Sequence, residues 1–342
     1  MSQFADRKAR WCAFYDRAPE VPFVFQINYA PDAPPRPLPN PALQTERLEW
    51  SWAQYERWMA RAEWLADDFI PSLDYYTGTE IFAEAFGCPV HRTDDNMPFA
   101  LPIITCAEQV DDLPVPDVMD SPLAVLFEMA DELRRRAGDD ALMKMVDIQS
   151  PMDIAALIWD KNTLYTAMLE TPEAVQALAG KVRALLTAFL DAWFARYGRD
   201  FIAHFPYYYM PRGITLSEDE VGVVSTAMFD ELFLPELVEL SARYDGIGIH
   251  CCADAHHQWP GFQRIPGLRM LNFCQPPEVK REAYAAFASV CGQYHWSVWD
   301  GPAWTWPAQW PAGARVVIEV GAETKDEALE LAAKLTEVRE NA

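Results

Sequence analysis

The residues best suited to chemistry lie in the stretch Gly246-Ile-Gly-Ile-His-Cys-Cys-Ala-Asp-Ala-His-His257. Ile247 and Ile249, spaced by glycines, read as a buried strand, and His250, Cys251 and Cys252 fall where that strand ends. Side chains alternate across a strand, so His250 and Cys252 share one face and Cys251 takes the other. An imidazole and a thiolate on one rigid strand end form a zinc-type donor pair. The chain has 7 cysteines and 6 histidines. Cys251, Cys252, Cys274, Cys291, His250, His256, His257 and His295 all lie between positions 250 and 295. A plainer reading stays open, in which two buried cysteines sit beside a hydrogen-bonded histidine. Cys12, Cys88 and Cys106 read as structural.

Positioning such a pair requires a scaffold of buried strands. Apolar runs predict strands starting near residues 22, 67, 141, 200, 246, 268, 288 and 315. Between them, 3.6-residue periodicity predicts helices over residues 5–18, 42–66, 79–86, 121–137, 150–158, 172–197, 217–224, 226–244, 282–287 and 325–340. Thr171 and Pro172 read as the N-cap and first position of the long helix. A proline-rich loop over residues 30–41 is too long for a simple turn and is expected to cover something. Strands alternating with helices predict an α/β fold, a single (β/α)8 barrel spanning residues 1–342. A doubly wound sheet is the alternative, but no Gly-x-Gly-x-x-Gly follows any strand. In a barrel the chemistry gathers at the strand C-terminal ends. Those ends carry Gln26, Asn28, Asp74, Asp147, Gln149, His204, His250, Cys252, Cys274, His295 and Glu319. Tyr207, Tyr208, Tyr209, Trp296, Trp299, Trp304, Trp306 and Trp310 lie just beyond such ends, where they either pack loops or wall an aromatic pocket. His256 and His257 read as exposed or capping residues.

The chain has 342 residues, of which 51% are hydrophobic, enough for a large core. The formal net charge of −23 argues against nucleic acid and anionic membranes as partners, because a phosphate surface needs a basic face. No apolar run approaches the roughly 20 residues needed to cross a bilayer. The polar start, with no apolar segment after it, predicts a cytoplasmic protein whose cysteines are reduced.

Several segments resemble the uroporphyrinogen decarboxylase superfamily. The strongest is Leu216-Ser-Glu-Asp-Glu-Val-Gly-Val-Val-Ser-Thr-Ala-Met-Phe-Asp-Glu-Leu-Phe-Leu-Pro-Glu236, similar to that family's S-x-D-x-x-x-x-x-S-P-x-x-F-x-E-F-x-L-P-Y region. Ile249-His-Cys-Cys252, Ile265-Pro-Gly-Leu-Arg-Met-Leu-Asn-Phe273 and Gln275-Pro-Pro277 follow in the family's order, and residues 78–88 and Ser150-Pro151 also fit. The resemblance implies the same (β/α)8 barrel. True decarboxylases of this kind hold a four-pyrrole substrate with an Arg-Gln-Ala-Gly-Arg-Tyr motif. The matching place here, Phe25-Gln-Ile-Asn-Tyr-Ala30, contains no arginine, although Asp74 aligns with that group's key aspartate.

The resemblance is nearer to the zinc-dependent methyltransferases that work with corrinoid proteins. In that branch a His-x-Cys pair and a later cysteine near the last strand bind zinc, which keeps an acceptor thiol as thiolate. His250 and Cys252 match the pair. No cysteine follows Cys291, so the third ligand is either Glu319 on the last strand or Cys274. The implied activity is methyl transfer between a small substrate and a corrinoid (cobalamin). No Asp-x-His-x-x-Gly is present, so the corrinoid would sit on a separate partner protein. In this reading Asp74, His204 and Tyr207 are catalytic. Gln26, Asn28, Asp147, Gln149, Tyr208 and Trp296 bind substrate. A metal-free decarboxylase and a non-catalytic barrel binding a tetrapyrrole or a partner are the alternatives. A homodimer is compatible with the sequence and not required by it.

Overall fold

The computed structural model describes residues 4–31 and 33–341. Six parallel strands form its continuous sheet. We number the strands β1 (Phe23–Asn28), β2 (Ser72–Leu73), β3 (Leu142–Met143), β4 (Phe201–Ile202), β5 (Tyr209–Met210), β6 (Ile214–Ser217), β7 (Ile247–Cys251), β8 (Leu268–Phe273), β9 (Gly292–Gln293) and β10 (Arg315–Gly321). The sheet runs β6-β7-β8-β9-β10-β1 in space. Its strands are buried on both faces because helices cover the outside, which is why they read as apolar runs rather than as alternating ones.

Shorter pieces complete the ring. β2 pairs in parallel with β3. Lys144 bridges to Ile202, and Gln149 bridges to Ser217. The fourth barrel position is therefore shared. β4 stands level with Lys144, β6 stands level with Gln149, and residues 203–213 make an excursion between them that includes β5, antiparallel to β4. The expected strand over residues 200–205 is thus only two residues long, and the expected helix over residues 217–224 is the end of β6 followed by a 3-10 turn at Glu220–Val223. Local apolar periodicity does not see this split, because β6 is stabilised by its neighbours β3 and β7.

The last gap, between β1 and β2, is closed by side chains. Residues 67–73 are expected as strand, yet only Ser72–Leu73 is one, and the two carboxylates before it do the pairing. Asp68 Oδ2 accepts the Phe25 N–H at 2.9 Å and Asp67 Oδ2 accepts the Ile27 N–H at 3.0 Å. The Asp68 N–H returns a bond to the Phe25 carbonyl at 2.8 Å. Both carboxylates are buried, and each is matched by guanidinium groups, Arg7 and Arg61 on Asp67, Arg10 and Arg339 on Asp68. Those arginines come from the first helix α1 (Ala5–Tyr15), the second helix α2 (Gln44–Ala62) and the last helix α3 (Lys325–Glu340).

The longer helices follow the sequence reading, but Pro277–Ala286 begins before the expected 282–287, and the short helices Glu108–Asp112 and Trp259–Phe262 are not among those expected. Lys161–Glu170 is a helix that the periodicity did not predict, because it buries only Leu164, Ala167 and Met168. Thr171 stands at the cap of Pro172–Tyr197 without its hydroxyl capping anything. By contrast Ser150 Oγ accepts the Asp153 N–H and starts Pro151–Ile158. No helix among the described residues is long and apolar enough to cross a membrane.

Replacing Asp68 with alanine will leave two arginines and the Phe25 N–H without their acceptor. Denaturant unfolding should show a loss of about 3–5 kcal/mol, whereas an unchanged midpoint would mean that the seam is not structural.

Candidate metal centre at the barrel mouth

His250 sits near the end of β7 and is buried, while Cys252 and Cys274 just beyond the ends of β7 and β8 are exposed. The parallel register pairs His250 with Asn272 and Cys251 with Phe273. Two residues further along, this register brings Cys274 beside Cys252. One ligand-type atom from each of His250, Cys252 and Cys274 lies within 4.8 Å of the others. Among the described residues this is the one group of three or more such side chains close enough to hold a metal ion.

The imidazole is oriented from behind. The Asn272 amide donates its Nδ2–H to the Tyr294 carbonyl, so its Oδ1 faces His250 Nδ1 at 2.6 Å. Nδ1 must then carry the proton, and Nε2, 3.0 Å from Cys252 Sγ, keeps its lone pair. The Cys252 N–H is anchored on Asp219 Oδ1 at 2.6 Å, and Gln275 Nε2 donates to the Cys252 carbonyl at 2.9 Å. A shared hydrogen bond holds the Cys274 thiol below its ordinary range and Cys252 above it. One imidazole and two thiols, with solvent on the open side, fit a zinc site that keeps a free coordination position.

Glu319, the other candidate ligand, does not join this group. Its Oε2 accepts the Tyr294 hydroxyl and, at 2.7 Å, Trp296 Nε1–H. His295 is buried, and burial depresses its pKa to about 3, so it is neutral; its Nδ1 accepts the Phe273 N–H at 3.0 Å. His256 stacks at 4.0 Å on Trp259, and His257 bonds the Val224 carbonyl at 2.9 Å, in keeping with exposed and capping roles.

The excursion between β4 and β6 brings a second cluster to the mouth. His204 Nε2 lies 3.3 Å from Asp147 Oδ2 and its ring stacks parallel to Tyr76. Burial resists ionisation of Asp147, but His204, Lys144 and His250 outweigh it and hold its carboxyl below the usual range. Asp74, expected to be catalytic, is buried and committed to Lys144 Nζ at 2.8 Å and to the Tyr76 N–H at 2.9 Å. Burial opposes its charge, and Lys144 and His204 more than offset that, so it stays an anion with a structural partner. Lys144 also lies 3.7 Å from the centre of the Tyr207 ring. Lys144 was not singled out from the sequence. The signal was available, since a lysine inside the otherwise apolar residues 141–146 of a barrel strand has to be buried against an acid.

Of the expected substrate residues, Gln26 donates to the Tyr207 carbonyl at 2.7 Å, and both it and Asn28 line a cavity of about 190 Å³ with Trp58, Tyr207, Tyr294 and Glu319. Trp296 lines a wider cleft of about 800 Å³ with Trp299, Trp304 and Trp306. Trp310 packs instead against Phe23 at 5.7 Å. Gln149 stays at its bridge to Ser217 of β6, and its Oε1 has no hydrogen-bond partner among the described residues. Tyr208 was placed in the substrate site from the sequence, but it is buried, with its ring against Tyr294 and its hydroxyl over Gly248, where a Cβ would lie only 2.1 Å away. The excursion turns it inward because neighbouring residues on an extended chain face opposite ways.

A (β/α)8 barrel with an open histidine–cysteine cluster at its C-terminal mouth is the class that fold and site define. The uroporphyrinogen decarboxylase (URO-D) family pattern matches residues 75–293, more than half of the chain. The chain therefore belongs to the uroporphyrinogen decarboxylase family. Among solved structures it is similar to a methyltransferase from Methanosarcina mazei, with a TM-score of 0.61 over 98% of this chain and 98% of that one. At 11% identity this likeness is one of fold. A homocysteine methyltransferase from Escherichia coli aligns over 49% of this chain and 87% of its own, at 14% identity and a TM-score of 0.23, too low to carry an argument. No curated protein matches the chain.

Asn272→Ala removes the group that fixes the His250 tautomer. Zinc titration with a competing chelator should show an affinity roughly 10–100-fold lower; an unchanged affinity would mean that the imidazole is oriented by other contacts.

Proposed function

We propose that the protein is a zinc-dependent methyltransferase that exchanges a methyl group between a small substrate and a corrinoid on a separate partner protein, acting in the cytoplasm. The observation that carries this reading is the convergence of His250, Cys252 and Cys274 within 4.8 Å at the strand ends of a barrel in this family. The three side chains would hold the metal. A bound zinc ion supplies a charge that keeps a coordinated thiol deprotonated at neutral pH, the state in which sulfur is a nucleophile.

The remaining roles belong to the chain itself. Asn272 holds His250 in the tautomer whose Nε2 is free. Asp219 fixes the backbone at Cys252. The Phe205 ring stands perpendicular to the His250 ring at 4.8 Å and tilted to Trp296 at 5.0 Å, so an apolar wall shields one side of the cluster. His204 and Asp147 provide a proton-carrying pair beside it, and Tyr207 covers the buried Lys144 ammonium. A tetrapyrrole decarboxylase is poorly served by the same mouth. Residues 25–30, the place of the decarboxylase arginine motif, offer no arginine to eight substrate carboxylates, and Asp74 is committed to Lys144.

Elemental analysis of protein purified without chelator is expected to find about one zinc per chain. His250→Ala, Cys252→Ser and Cys274→Ser should each lose it, and Glu319→Gln should keep it. The zinc-loaded protein should also demethylate free methylcobalamin in the presence of a suitable small thiol, and the three ligand variants should not. Metal-free wild-type protein, or zinc lost with Glu319 and kept without Cys274, would refute the assignment.

A further inference from the structure

The cavity at the ends of β1 and β10 holds a carboxylate, Glu319, that no cation among the described residues pairs with. Glu319 forms no ion pair among the described residues, and both donors to its Oε2, the Tyr294 hydroxyl and the Trp296 indole, are neutral. These two donors hold the carboxylate in place without neutralising it. Around it stand the rings of Tyr29, Trp58, Tyr207 and Tyr294. The cations near this wall are already committed. Arg61, which lines the cavity, is paired with Asp67, Lys144 is paired with Asp74, Arg281 lines only the neighbouring cleft, and Arg36, which reaches the Tyr207 hydroxyl at 3.5 Å, lines neither.

We infer that this cavity binds a small alkylated ammonium ion. A fixed carboxylate and several aromatic faces are what such a cation requires, because its charge is spread over methyl groups that cannot donate strong hydrogen bonds but are attracted to the negative faces of rings. Rings of the same wall already carry cations on another side. Lys144 lies over Tyr207 at 3.7 Å, and Arg61 lies over Phe69 at 4.6 Å. The cavity of about 190 Å³ corresponds to roughly six water volumes, enough for a quaternary ammonium group with a short tail. The formal charge of −23 favours the approach of a cation and disfavours an anion.

The inference rests on the methyltransferase reading in one respect, which is that the cation is then the recognition end of the small substrate. Trp296 links the two sites, since it donates to Glu319 and packs on Phe205, which packs on His250. Binding of the cation in itself requires no metal.

The test is calorimetric titration of the purified full chain with choline, with its neutral tert-butyl analogue and with propionate. Choline should bind roughly tenfold more tightly than the analogue, and propionate more weakly than either. Glu319→Gln should abolish the preference for choline, and Trp58→Leu should weaken choline binding by itself, with zinc content retained in both. Equal affinity for choline and its analogue, a preference for propionate, or no binding would each overturn the inference. Ammonium binding in a chain that contains no zinc would sustain this inference and overturn the methyltransferase reading. Zinc with methyl transfer and no preference for the cation would do the reverse.

Discussion

Two adjacent buried carboxylates hold the barrel closed. Between β1 and β2 the backbone ladder is reduced to a single bond, and Asp67 and Asp68 supply the acceptors that β1 needs. A buried charge is tolerated only when it is matched, and four arginines from three helices match these two. The seam thus ties the first, second and last helices to the strand whose far end carries Gln26 and Asn28. β10 lies in register along β1, Gln26 opposite Glu319, so the seam also sets where Glu319 stands. A break there would release one whole wall of the mouth.

From the histidine–cysteine cluster to the cavity, hydrogen bonds run through Asn272 and Tyr294. His250 donates to Asn272, Asn272 donates to the Tyr294 carbonyl, and the Tyr294 hydroxyl donates to Glu319. The path crosses β7 and β8 to the residue that follows β9, and then reaches β10. The first two links join positions that the parallel register puts side by side, and the long Tyr294 side chain makes the third by reaching two residues further along β10. The orientation of the imidazole and the orientation of the carboxylate are therefore set by the same framework. Satisfied buried networks of this kind rigidify a site, because breaking any one link leaves a polar group without water or partner.

The second cluster owes its place to the divided fourth strand. Residues 203–213 leave the barrel wall and return, and in doing so bring His204, Phe205 and Tyr207 over the strand ends. A single uninterrupted strand would have pointed at most alternate residues of this run toward the mouth. The buried Lys144–Asp74 pair below it is covered by the Tyr207 ring, so the floor of the mouth is charged but internally neutral. Glu319 has no such counter-charge among the described residues.

The sequence by itself determined the architecture and the first two members of the histidine–cysteine cluster. Buried strands with helical crossovers are local patterns, and His250-x-Cys252 lies on one strand whose side-chain alternation needs no partner to predict. The same patterns recovered the helices Pro172–Tyr197 and Lys325–Glu340 at their full observed lengths. What only the tertiary structure decided depends on contacts between segments far apart in the chain. The third member of the cluster is the clearest case. Glu319 and Cys274 both end barrel strands, and nothing local distinguishes them. The register of β8 on β7 sets Cys274 beside Cys252, while Tyr294 and Trp296 hold Glu319 elsewhere. The same reason applies to the strand expected at residues 67–73, to the inward turn of Tyr208 and to the choice of Asp74 as the partner of Lys144. Strand pairing and ion pairing are properties of two segments at once, and one segment read alone does not contain them.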